Sequence, residues 1–222
     1  RGRALAELCS TEWYQRSEEC PHSDIYIIAV SDSAVEVVAQ ALQIDENSIV
    51  VHTAGSVPLS VIAERGGRRG IVYPFQTFTK GRDIDLSGVT LFVEADNEAT
   101  LMIINEFASL LSKSVEYADS ERRRTIHLAG VFVNNFTNHL YALGRDIVAR
   151  EGLDFDILKP LIAETASKAL DSNDPAMVQT GPARRGDKGV IEKHLVMLDE
   201  DGTKQKIYND ISESIWETSK KI

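Results

Sequence analysis

Apolar residues follow two rhythms along this chain, and the change from one to the other falls near its middle. From Asp24 to Asp32 the sequence reads Asp-Ile-Tyr-Ile-Ile-Ala-Val-Ser-Asp. A continuous apolar run that closes in small and polar residues is the pattern of a buried parallel strand ending at a ligand crevice. Ser33 to Leu42 then places Val35, Val38, Ala39 and Leu42 at helical spacing. Ser48–His52 repeats the strand pattern and ends in Thr53-Ala54-Gly55-Ser56. A short helix is expected over Val57–Glu64, with Pro58 in the first turn, where a missing N–H costs little, and Gly66-Gly67 to stop it. Gly70–Tyr73 predicts a strand running into Pro74-Phe75-Gln76-Thr77-Phe78, Val89–Glu94 another, and Ser114–Tyr117 a last one, with a helix over Glu98–Leu111 between the final two. Ahead of all these, Ala4, Leu5 and Leu8 mark the tail of an amphipathic helix over Arg1–Leu8, and Thr11–Glu19 shows no clear period.

Strands alternating with helices of this length predict an α/β domain with a mostly parallel sheet. After Asp119 the strand signals cease. Ser120–Arg150 has a helical period throughout and no proline, and Phe155–Leu170, Gly186–Leu198 and Gly202–Trp216 are helical in pattern. The expected organisation is an α/β domain over residues 1–118 and an all-helical domain over 119–222, divided near Tyr117–Ser120.

Composition narrows the function classes. A length of 222 residues suits one large domain or two small ones, and 43% hydrophobic with 26% charged residues is ordinary for a globular chain. A net charge of −10 argues against nucleic-acid binding, which demands a basic face. A local pair such as Arg184 and Arg185 still suffices for a small anionic ligand. No apolar run approaches the ~18 residues of a membrane helix, and no signal peptide is apparent. A cytoplasmic protein is expected, with Cys9 and Cys20 as free thiols. A first residue that is Arg and not Met fits a processed, truncated or fragmentary chain.

Three constellations could carry chemistry. On the long helix, Leu128, Phe132, Phe136, Leu140, Leu143 and Ile147 make one packing stripe. At 100° per residue, His127, Asn134 and Asn138 fall within about 40° of one another on a neighbouring face. They suit either a ligand or hydrogen bonds across helices. Asn135 and His139 lie nearer the stripe, where such hydrogen bonds are the simpler reading, because an unpaired buried polar group costs ~1–3 kcal/mol. The second is Gln179-Thr180-Gly181-Pro182-Ala183-Arg184-Arg185-Gly186-Asp187. There Arg185 could grip a carboxylate or phosphate, and Asp187 is expected to cap the next helix. The third is the set of strand-end loops Val30-Ser31-Asp32, Thr53-Ala54-Gly55-Ser56 and Tyr73-Pro74-Phe75-Gln76-Thr77, since ligands of open α/β sheets sit beyond the carboxyl ends of strands. Ser56 lacks a nucleophile elbow, the five histidines lack zinc-ligand spacing, so no metal is expected, and Glu121-Arg122-Arg123-Arg124 is expected to open the long helix as a solvated face.

Taken in order, Ile-Tyr-Ile-Ile-Ala-Val-Ser-Asp (25–32), Val-His-Thr-Ala-Gly-Ser (51–56), Tyr-Pro-Phe-Gln-Thr-Phe (73–78), Ala-Asp-Ser-Glu-Arg-Arg (118–123), Asn-Asn-Phe-Thr-Asn-His-Leu (134–140) and Thr-Gly-Pro-Ala-Arg-Arg-Gly-Asp (180–187) resemble the bacterial "Rossmann-like plus DUF2520" family. That family is similar to pyrroline-5-carboxylate reductases and to F420-dependent NADP oxidoreductases. The resemblance runs from about residue 24 to the C-terminus. It implies a partial Rossmann-like parallel sheet that binds NAD(P), followed by an all-helical domain of the 6-phosphogluconate-dehydrogenase type, which in relatives often dimerises. Two departures stand out. Family members begin with a strand, Gly-x-Gly-x-x-Ala, a helix and a second strand. The residues before Asp24 hold no such turn, and with it goes the helix N-terminus that seats a pyrophosphate. Related hydroxyacid dehydrogenases also carry a Lys four residues before an Asn on the central helix. Here those positions are Val131 and Asn134, and no Lys occurs between Lys113 and Lys159.

The resemblance and the residues together predict an NAD(P)-dependent oxidoreductase acting on a small substrate, held between the two domains, that could carry an anionic group. NADP or NAD would lie along Val30, Ser31, Asp32, Thr53, Gly55 and Ser56. Substrate would meet Pro74, Gln76 and Thr77, with Arg185 holding the anionic group. His127 would replace the missing Lys as acid/base, with Asn134 and Asn138 orienting the substrate. A homodimer through the helical domain is expected, and neither nucleic acid nor membrane as a partner. Two alternatives stay open: a non-catalytic nucleotide- or metabolite-binding protein on the same scaffold, and a truncated chain that binds no cofactor.

Overall fold

The computed structural model describes residues 2–62 and 67–222. Five strands form one sheet in sequential order: β1 (Ile25–Ile28), β2 (Ile49–His52), β3 (Arg68–Pro74), β4 (Leu91–Ala95) and β5 (Val115–Tyr117). β1–β2, β2–β3 and β4–β5 are parallel, with Ile25 opposite Ile49, Ile49 opposite Arg68 and Leu91 opposite Val115. β3 and β4 are antiparallel, with Val72 opposite Val93. A parallel return needs a crossover, usually a helix. The stretch between β3 and β4 supplies only a 3₁₀ turn at Leu86–Gly88, so β4 runs back beside β3.

The helices of this part are α1 (Gly2–Leu8), α2 (Val35–Ala41) and α3 (Glu98–Ser109). A buried cluster covers each face of the sheet, and β2 is buried on both, which explains its continuous apolar run. On one face Tyr26, Ile28 and Val50 pack against Val35, Ala39 and Leu42 of the α2 segment. On the other Ile49, Val51, Val72, Leu91 and Val93 pack against Ile104 and Ala108 of α3. α3 lies so close to β3 that a Cβ on Gly70 would stand 2.0 Å from the Ile104 Cδ1. The helix expected over Val57–Glu64 appears only as a 3₁₀ turn at Leu59–Val61, preceded by an extended Pro58. Ala63, Glu64 and Gly66 of that expectation, and Arg1, lie outside the described residues. Cys9 and Cys20 are exposed free thiols.

α4 (Ser120–Gly130) is capped by the Asp119 carboxylate, which accepts from the Arg122 amide at 2.8 Å. Arg123 corrects the expectation of a solvated basic face: it is fully buried and paired with Glu94 of β4. Because α4 is held to the sheet in this way, the chain divides into the compact units Arg1–Phe136 and Thr137–Ile222. α4 belongs with the strands, and the division falls after Phe136, further along than the expected one near 118. From Val131 to Phe136 the backbone is π-helical. Such wider turns are rare and often sit at functional sites, and they break the 100° phase on which the sequence-based faces rest.

The described residues of the second unit form helices and the turns that join them, with α5 (Thr137–Arg150), α6 (Lys159–Asp171), α7 (Pro182–Arg185), α8 (Lys188–Met197) and α9 (Gly202–Ser219). Asp187 caps α8 through the Val190 amide at 3.2 Å, as its position in the sequence predicts. Gly186 ends α7 at φ 65°, with Trp216 against its α-carbon. Inside this unit the His194 Nδ1 and Tyr208 Oη are 2.7 Å apart. Among the described residues no helix is long and apolar enough to cross a membrane.

Candidate functional site

The parallel strands β1, β2 and β3 bring their carboxyl ends to one edge of the sheet. Val30, Ser31 and Asp32 follow β1 and are exposed. Thr53 and Ser56, after β2, are half-buried, and Gly55 is buried. The Ser56 hydroxyl donates to the Asp32 carboxylate, so the first two loops meet directly. Gly55 is buried because the ring of Tyr73 lies on it: a Cβ at Gly55 would stand 2.5 Å from the Tyr73 Cζ. The third loop therefore crosses over the second.

Tyr73, at the end of β3, is the hub. Its Oη lies 3.3 Å from the His127 Nδ1 on α4. Its ring is bracketed by Phe75 at 6.2 Å, Phe92 at 6.4 Å and His127 at 6.3 Å. Burial pushes the phenol's pKa up, the Asp32 carboxylate adds to this, and the Arg123 guanidinium opposes it. Tyr73 is thus a protonated phenol at neutral pH, and whether it donates to or accepts from His127 Nδ1 follows the imidazole tautomer. The sequence motif Tyr-Pro-Phe-Gln-Thr contained this residue, but a tyrosine at a strand end carries no signal of its own. Only the fold sets it against a histidine 54 positions away.

Tyr73, Phe75, Gln76, Thr77, His127, Gly130, Val131, Val133, Asn134 and Asn135 enclose a cleft of about 310 Å³ within the first unit. Phe75 approaches α4 because Gly130 has no side chain; a Cβ there would stand 2.7 Å from the Phe75 ring. The cleft lining offers imidazole, phenol, amide and hydroxyl groups and no Lys, Arg, Asp or Glu. Of the residues picked from the sequence, His127, Asn134, Gln76 and Thr77 line it, and Pro74 stands in the same loop. Asn135, expected to serve packing, lines it as well, because both neighbouring asparagines sit in the π-helical stretch. Asn138 and Arg185 belong to the second unit, on α5 and α7, and both are exposed.

Two buried groups of the first unit were not selected by sequence reading. His52, at the end of β2, is fully buried. Its Nδ1 accepts from the Ala54 amide at 3.2 Å. Burial, with the Arg123 charge adding to it, pushes its pKa down to about 4, so it is a neutral structural imidazole. Arg123 donates to the Glu94 carboxylate and, at 2.6 Å, to the Val57 carbonyl. Among the described residues no group of three or more His, Cys, Asp or Glu could hold a metal ion.

The family model described as "Domain of unknown function (DUF2520)" matches residues 89–215. No curated protein matches the chain. A crystal structure from Bacteroides fragilis, described as a candidate NADP oxidoreductase, is 39% identical and covers 97% of this chain and 84% of its own, with a TM-score of 0.87. A structure from Thermotoga maritima is 23% identical over 99% of this chain and 86% of its own, with a TM-score of 0.78. Plasmodium falciparum pyrroline carboxylate reductase with NADP bound is 14% identical over 95% and 82%, with a TM-score of 0.56. The last two share the fold: a Rossmann-like sheet domain followed by an all-helical one.

Proposed function

The chain belongs to the DUF2520 family, and from that premise we propose that it is an NADP(H)-dependent oxidoreductase acting on a carbon–heteroatom double bond of a small substrate. The observation that carries this reading is the Tyr73–His127 pair, set in an uncharged cleft beside the carboxyl ends of β1 and β2. The relative from Bacteroides fragilis is described as a candidate NADP oxidoreductase, which favours NADP over NAD.

The residues at the strand ends fit the sugar of such a cofactor. Asp32 presents a carboxylate acceptor and Ser31 and Ser56 present hydroxyls, on exposed or half-buried backbone. With Val30, Thr53 and Gly55 these are the proposed cofactor contacts. When bound, the cofactor supplies or accepts hydride. The chain's own part is the proton. Tyr73, kept protonated, donates from Oη to the His127 Nδ1, which leaves the ring proton on Nε2. As Nε2 gives its proton to the substrate heteroatom, Nδ1 takes the phenol proton of Tyr73, so the imidazole stays neutral and the phenolate regains its proton from solvent. Asn134 and the Pro74–Thr77 loop would orient the substrate. A helical unit of the 6-phosphogluconate-dehydrogenase type, dimerising with a second copy, completes the proposal. Leu161, Leu170 and Met197 are exposed apolar residues that support it.

The test is titration of the full-length protein with NADPH and with NADH, followed by turnover with a panel of small carbonyl and imine compounds. His127→Ala should leave cofactor affinity nearly unchanged and abolish turnover. No saturable binding of either nucleotide would defeat the reading, and equal turnover in His127→Ala would remove His127 from it.

A further inference from the structure

Arg123 is fully buried in the first unit, and its guanidinium ties together three segments. One terminal nitrogen donates to the Glu94 carboxylate on β4 and, at 3.4 Å, to the Ala118 carbonyl. The other donates to the Val57 carbonyl at 2.6 Å and approaches the Ser120 hydroxyl at 3.3 Å. Ser120 donates to the same Glu94 carboxylate at about 2.9–3.0 Å and accepts from the Leu59 amide at 3.1 Å. The loop after β2, the inner end of β4 and the first turn of α4 therefore share one ionic centre.

The centre is linked to the Tyr73–His127 pair through α4 and through the loop after β2. His127 follows Arg123 by four residues, so both lie on one face of α4. Val57 follows Gly55 by two, and Gly55 is the residue on which Tyr73 rests. The loop is thus held at two points, under the Tyr73 ring and on the Arg123 guanidinium. A buried ion pair is a poor device for stability, because desolvation cancels most of its attraction, and well-packed apolar replacements are often as stable or more so. What the forked guanidinium supplies is direction: it meets a carboxylate and a carbonyl from two nitrogens at fixed angles, whereas the donors of an ammonium share one nitrogen and rotate freely.

We propose that Arg123, with Glu94 as its counter-ion, is a positioning residue that fixes the loop after β2 against α4 and so sets the contact between Tyr73 and His127. Its bearing on catalysis rests on the function proposed above; its bearing on geometry does not. The downward pull of the Arg123 charge on both Tyr73 and His52 agrees with a charged centre at this place.

The experiment compares imidazole ¹⁵N spectra of the full chain at one neutral pH. Tyr73→Phe gives the reference spectrum for His127 without its phenol partner. The double variant Arg123→Met/Glu94→Leu should keep a cooperative melt while its His127 Nδ1 resonance moves from the wild-type position to that of Tyr73→Phe. Arg123→Lys keeps the charge without the fork and should move the same resonance in the same direction. A wild-type His127 signal in either folded variant overturns the proposal, and should the double variant fail to fold, Arg123→Lys alone decides. NADPH titration of the same samples separates the two claims. A wild-type chain that binds no NADPH removes the proposed function and leaves the spectral comparison intact. Wild-type affinity in a variant with a displaced His127 signal would confine Arg123 to the proton-donating pair.

Discussion

Replacing Gly55 by Ala isolates the contact on which the site depends. Gly55 does not have a positive φ, so alanine meets no backbone strain there. Its methyl group would instead stand 2.5, 2.8 and 2.9 Å from three atoms of the Tyr73 phenol. The ring cannot simply swing aside, because Phe75, Phe92 and His127 surround it. Overpacking of this kind costs about 1–3 kcal/mol, and displacement of the ring forfeits the hydrogen bond to His127, worth about 1 kcal/mol. For a chain of this size each kcal/mol lowers the melting temperature by about 2–4 °C, so a fall of roughly 4–16 °C is expected on these terms. Thermal denaturation of wild type, Gly55→Ala, Tyr73→Ala and the double variant completes a cycle. On the Tyr73→Ala background the added methyl has room, and the Gly55 substitution should cost less than about 0.5 kcal/mol. Equal costs on both backgrounds would refute the argument that Gly55 is required by the ring above it.

Other consequences follow from single groups. His52 has its pKa lowered from 6.5 to about 4, chiefly by burial. The unfolded chain takes up this proton as pH falls through 6.5 and the folded chain not until about 4. Its contribution is therefore full above pH 6.5 and is lost on acidification towards 4, about 3 kcal/mol at most. The stability difference between wild type and His52→Gln should shrink across that window in denaturant titrations; a difference constant from pH 7 to 4 would contradict the assignment. Gly70→Ala drives a methyl to 2.0 Å from Ile104 Cδ1 and 2.9 Å from the Glu94 carbonyl, and should cost at least about 1–3 kcal/mol in the same assay. Asp187→Ala removes the cap of α8 and should cost about 1 kcal/mol, with Asp187→Asn or Ser recovering most of it.

The fold was largely legible in the sequence because its signals are local. The run Ile49–His52 is buried on both faces, Ile25–Ile28 buries Tyr26 and Ile28 on one, and the loss of strand patterns after Asp119 marks the helical half. What failed had non-local causes. Arg123 sits in a run of charges that looks solvated, and only its ion pair with Glu94, 29 positions away, buries it. That pair also explains why α4 joins the sheet unit. The π-helical Val131–Phe136 stretch shows no composition of its own, yet it alters which side chains share a face. His127 and Asn134 could be picked as chemistry-bearing types at a plausible spacing. Tyr73 could not, because its significance lies in a partner across the fold.

The central claim is that the strand ends beside the Tyr73–His127 pair form a nicotinamide site. Backbone amide spectra of the full-length protein titrated with NADPH test it most directly. The account predicts saturable shifts at Ser31, Asp32, Thr53, Gly55, Ser56 and Tyr73, with the His127 ring perturbed in the same titration. No saturation, or shifts confined to residues away from these strand ends, would contradict it.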